Sequence, residues 1–111
     1  MLTQFHEKAQ KVIVIAESIA FDLGHSHVGS EHLLLSMLKL KDTEFVKELN
    51  RYEVTDDKIY EDIVRLFGEK DIQPFYMEYS VEFKKILENA LLLSKKKGED
   101  KVTMDIRNRQ K

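Results

Sequence analysis

Apolar residues at Phe5, Ala9, Val12, Ile13, Ala16, Ile19, Ala20 and Leu23 recur three and four positions apart, the spacing that lines one face of an α-helix. The pattern predicts a first helix closed at Gly24, because glycine takes the left-handed backbone that ends a helix. Residues 25–29 follow as a short connector. A second apolar run, Leu33, Leu34, Leu35, Met37, Leu38 and Leu40, predicts a second helix, with Ser30 as its hydroxyl cap and Glu31 against the positive end of its dipole. Thr43 caps a short third helix through Phe45, Val46 and Leu49. Thr55, followed by Asp56 and Asp57, opens a fourth through Ile59, Ile63, Val64 and Phe67, and Gly68 ends it. Residues 69–78 hold the single proline, Pro74, show no period, and read as a linker. The expectation is helices throughout, with irregular stretches between them.

The chain also matches itself. A shift of 74 places Phe5 on Tyr79, Val12 on Ile86, Ile13 on Leu87, Ala16 on Ala90, Gly24 on Gly98, Val28 on Val102 and Glu31 on Asp105, without a gap. Helical period alone does not put a terminating glycine and the following Val-x-x-acid turn in register, so the match is read as a duplicated unit. Repeat one spans about residues 3–68, the linker 69–78, and a partial repeat two 79–111, with a fifth helix from a cap at Ser80 to about Lys97. The copy then departs: Ile106-Arg107-Asn108-Arg109 stands where repeat one has His32-Leu33-Leu34-Leu35. The apolar face of helix five, Phe83, Ile86, Leu87, Ala90 and Leu93, must be covered by repeat one or by another chain.

Composition narrows the function. In 111 residues there is room for one domain, and 18 basic against 20 acidic side chains, mixed along the chain to a net charge of −2, give no basic face for phosphate backbones or lipid headgroups. Nucleic-acid and membrane partners are therefore not expected. Without cysteine there is no disulfide, thiolate metal site or cysteine nucleophile. The N-terminus carries no signal-peptide pattern, so the expected location is the cytoplasm.

The motifs Phe5-x-x-x-Ala9-Gln10-Lys11-Val12 and Leu23-Gly24-His25-x-x-Val28-Gly29-Ser30-Glu31-His32-Leu33-Leu34-Leu35 resemble the double signature of the Clp N-terminal domain, the repeat domain that precedes the ring-forming modules of Clp-type chaperone ATPases. The resemblance covers nearly all of the first repeat and only the first helix and turn of the second. It implies an all-α array of two four-helix repeats, the second incomplete, with about five helices. It further implies a protein-binding module that docks adaptors or substrates for a Clp-type ATPase or protease. In one subgroup of that family the acidic residues of the two turns receive phosphorylated arginine, and the matching positions are Glu31 and Asp105, with Asp105 a shorter acid in a degraded motif.

No G-x-x-x-x-G-K loop is present, and no cofactor or metal site is expected. His25, His27 and His32 match no zinc spacing; His25 is expected at the carbonyls ending helix one, and His32 is expected to pack or hydrogen-bond within the repeat. Ser30-Glu31-His32 holds the residue types of a hydrolytic triad, but helix neighbours point about 100° apart and cannot align for catalysis. The chain is read as a non-enzyme. The candidate partner-binding residues are Ser30, Glu31, His32 and Asp105, with the linker aromatics Phe75, Tyr76 and Tyr79 as either a peptide-docking surface or a cap on the core. The alternative is a structural protein that forms a homodimer through helix five.

Overall fold

The computed structural model describes residues 6–96. Among them five helices form, α1 (Glu7–Asp22), α2 (Ser30–Leu38), α3 (Glu44–Arg51), α4 (Asp56–Phe67) and α5 (Val81–Lys96), with two two-residue strands, β1 (His27–Val28) and β2 (Glu78–Tyr79). The fold is the all-α array expected from the sequence. The shift of 74 carries the limits of α1 onto those of α5.

The helix limits follow from local chemistry. Gly24 has φ +75°, and a left-handed residue there lets the amides of Gly24 and His25 reach the carbonyls of Phe21 and Ala20 at 3.0 and 2.9 Å, closing α1. A side chain would not fit in any case: a Cβ on Gly24 would stand 2.7 Å from Cβ of Lys70 and 2.9 Å from its carbonyl oxygen. The hydroxyls of Thr43, Thr55 and Ser80 accept from the amides of Val46, Lys58 and Phe83, as caps of α3, α4 and α5.

Two expectations are corrected. Ser30 is the first residue of α2 and does not cap it; the cap is Gly29, whose amide is satisfied by a side chain three residues ahead. The connector and the linker are not irregular throughout: β1 and β2 pair in parallel, His27 with Glu78 and Val28 with Tyr79. A two-residue strand shows no alternation to read, and its partner lies in the other repeat. α2 itself ends at Leu38, two residues before Leu40, the last of its apolar run, with Lys39 as its C-cap.

The core lies between repeats. Ala9, Ile13, Ala16 and Ala20 of α1 form one cluster with Val28, Phe83 and Leu87, and Ala90 packs against it. Ile13 and Ala16 therefore share one cluster with Leu87 and Ala90, their own counterparts under the shift. A second cluster, Leu23, Leu35 and Ile63 with Ile19, Ile59 and Val64 against it, binds α1, α2 and α4. The face of α5 is only half covered: Phe83 and Leu87 are buried, whereas Ile86 and Leu93 are each 41% exposed. In α1 the counterpart of Ile86, Val12, is 2% exposed.

Candidate functional site

The parallel ladder sets where the site lies. Val28 and Tyr79 form one rung, and the carbonyl of Val28 accepts from the amide of Ser80 at 2.8 Å. Gly29 and Ser80, the caps of α2 and α5, follow directly, so the two helices start side by side. Free amides and the positive dipole ends of two helices therefore meet at this corner.

Glu31 stands in the first turn of α2, half-buried, and its carboxylate folds back over the cap into the space that a Cβ on Gly29 would fill. It lines an open pocket of about 300 Å³ together with His25, His27, His32, Phe67 and Lys70. A carboxylate in such a pocket offers two oxygens to a planar guanidinium or to an ammonium group.

Behind Glu31 runs a directed hydrogen-bond chain. The amide of Gly29 donates to Nδ1 of His32 at 2.8 Å, Nε2 of His32 lies 2.8 Å from Nδ1 of His25, and Nε2 of His25 lies 2.7 Å from the carbonyl oxygen of Gly68. A backbone amide only donates and a carbonyl only accepts, which fixes both rings. His32 carries its proton on Nε2 and donates it to His25; His25 carries its own on Nε2 and donates it to Gly68. His32 is 2% exposed, and burial, with the neighbouring His25 second, pulls its pKa from 6.5 down to about 4.

The backbone amide of His25 meets a carbonyl ending α1, as expected of the residue, but its ring departs from there and bonds to the carbonyl following α4, because the chain after Gly24 runs beside Lys70. His32 holds the packed, hydrogen-bonded role expected of it. Gly29, Phe67 and Lys70 were not among the sequence candidates. A histidine three residues after a glycine is a signal for the first of these, since a side chain at that spacing can reach back to the amide of a helix cap.

The structure does not gather the aromatic candidates. Tyr79 turns inward, its ring stacked on Phe83 with centroids 4.8 Å apart and its hydroxyl donating to Glu17 at 3.1 Å. Desolvation first, then the Glu17 charge and the hydrogen bond to it, push its pKa to about 12. Phe75 and Tyr76 are fully and largely exposed. Asp105 lies outside the described residues. Among the described residues no group of His, Asp and Glu is arranged to hold a metal ion, and no helix is long and apolar enough to cross a membrane.

Comparison with known proteins agrees with this architecture. The ClpC subunit, an ATP-dependent Clp protease ATP-binding subunit from Staphylococcus saprophyticus, is 34% identical over 85 residues, which is 77% of this chain and 10% of that protein. The chain therefore spans about a tenth of the length of such relatives. The N-terminal domain of the chaperone ClpD from Arabidopsis thaliana superposes with a TM-score of 0.72 at 20% identity, covering 93% of this chain and 71% of that one. A ClpV N-domain in complex with a VipB peptide superposes with a TM-score of 0.69 at 19% identity, covering 91% and 62%. Residues 4–106 match the model of the Clp repeat N-terminal domain, and the chain belongs to that family.

Proposed function

We propose that the chain is a docking module which binds adaptor or substrate proteins for a Clp-type ATPase or protease, using the corner where α2 and α5 begin, and which performs no chemistry itself. The observation that carries the reading is Glu31, an acid held over the cap of α2 at a pocket mouth, beside a second helix start. A phosphorylated arginine suits this corner: its guanidinium faces the carboxylate, and its phosphate faces amides at helix starts. Ser30 supplies one such amide and His32 fixes the cap, so both act with Glu31. The exposed Phe75 and Tyr76 offer a separate apolar contact to the rest of a bound segment.

The test is a titration with a peptide carrying phosphoarginine and with its unmodified arginine form. Glu31→Ala and Glu31→Lys are expected to abolish measurable binding while leaving the helical circular-dichroism signal in place. Binding by both variants unchanged from that of the parent chain removes Glu31 from the site.

A second reading is self-association through α5, favoured by the 41% exposure of Ile86 and Leu93, whose counterparts in α1 are Val12, buried, and Ile19, packed against Leu23, Leu35 and Ile63. Light scattering tests it. A dimer weakened by Ile86→Glu supports the reading, and a monomer at every concentration rejects it.

A further inference from the structure

The chain Gly29–His32–His25–Gly68 joins the end of α1, the start of α2 and the residue after α4. Its fixed backbone ends leave room for two ring protons. A third on Nδ1 of His32 would face the amide of Gly29, and on Nδ1 of His25 it would face the Nε2 proton of His32. Either position sets donor against donor and breaks one link.

We propose that this chain is a proton-sensitive latch: with both imidazoles neutral it ties the end of α4 to the α1–α2 corner, and uptake of one proton opens that corner and changes the pocket mouth at Glu31. The charged and titratable groups around it decide where the proton goes. Oε1 of Glu31 lies 3.3 Å from Nδ1 of His32, the acceptor nearest to a new proton there. Lys70, which follows α4, and His27 of β1 line the same pocket, and His27 is turned to Glu78 of β2 at 3.8 Å. A proton on Nδ1 of His32 thus displaces the Gly29 amide and draws the Glu31 carboxylate onto the ring, away from a ligand. The low pKa of His32 puts this event near pH 4. The binding consequence rests on the role proposed for Glu31; the latch itself does not.

The experiment is nitrogen and proton magnetic resonance on the whole chain, titrated from about pH 7.5 to about pH 3, a range whose ends lie above and below the titration of His32. At the upper end both rings should show the neutral form protonated on Nε2. On acidification the ring signals of His25 and His32 and the amide of Gly29 should shift together, before helical signal is lost. His27→Asn should leave that transition in place. His32→Asn, whose side-chain oxygen can take the Gly29 amide and does not titrate, should remove it. Independent titration of the two rings with an unmoved Gly29 amide overturns the latch, as does a transition that coincides with global unfolding. In a parallel arm, affinity for a peptide carrying an acid-stable phosphonate analogue of phosphoarginine should fall at least about tenfold across the same transition; affinity that stays constant overturns the control of the pocket. A chain that shows the coupled transition but binds no such peptide at any pH supports the latch and rejects only the ligand assigned to Glu31.

Discussion

The carboxylate of Glu31 occupies the space in which a Cβ on residue 29 would stand. The backbone of Gly29 itself, at φ −110° and ψ 176°, is open to any residue. Gly29→Ala should therefore fold, because the atoms it meets are the movable end of a side chain, and it should push the carboxylate off the cap. The expected outcome is a melting temperature within a few degrees of wild type, as for substitutions that break no core contact, with binding at the corner reduced about tenfold or more. Loss of the helical signal, or full retention of binding, would contradict this placement.

Acid should weaken the fold through His32. Its folded pKa, about 4, is below the 6.5 of an unfolded histidine, so between those values the unfolded chain binds a proton that the native one does not. Stability is then full above about pH 6.5 and falls as the pH drops toward 4, below which both states are protonated. The loss should be on the order of 2–3 kcal/mol, measured by urea unfolding across this range, and His32→Asn should flatten the slope.

Gly24 carries both a left-handed backbone and a close crossing by residues 70–72. Gly24→Ala should cost about 2 kcal/mol or more, since the left-handed conformation alone costs a residue with a Cβ roughly 1–2 kcal/mol. Gly68→Ala provides the comparison. Its backbone, φ +74° and ψ −178°, is one that glycine alone adopts readily, and a Cβ there meets nothing within 4 Å, so its cost, about 1–3 kcal/mol, is conformational alone. A cost for Gly24→Ala under about 1 kcal/mol in chemical denaturation would show that the crossing is not tight.

Tyr79 should ionise near pH 12 in an ultraviolet titration. Because the folded chain resists forming its phenolate, stability falls as the pH rises from 10 toward 12. Tyr79→Phe keeps the stack on Phe83, loses the hydrogen bond to Glu17, and should cost about 1 kcal/mol. The ionisation near pH 12 should be absent from that variant.

What the sequence made legible is what local chemistry decides. The hydroxyls of Thr43, Thr55 and Ser80 cap their helices because each competes only with water for an amide three residues on. The shift of 74 was readable because both copies keep apolar residues at matching positions, with Ile13, Ala16 and Leu87 buried in one cluster and Ala90 packed against it. Contacts between residues far apart in sequence were not readable. The rung of Val28 and Tyr79 and the bond from His25 to Gly68 join residues distant in sequence, and nothing in a two-residue strand or a lone histidine names its partner. Period also shows which face of α5 is apolar, not how wide a cover it receives, which is why Ile86 and Leu93 remain exposed. Phe75, Tyr76 and Tyr79 share composition but part ways because β2 turns only the last of them inward.

The central claim, a docking corner built on Glu31, is tested most directly by mapping backbone amide shifts on the labelled chain as a phosphoarginine peptide is added. The shifts should concentrate at Gly29, Ser30, Glu31 and the first turn of α5, and vanish in Glu31→Ala. Saturable shifts confined to the Ile86 and Leu93 face of α5, or none at any peptide concentration, would contradict it.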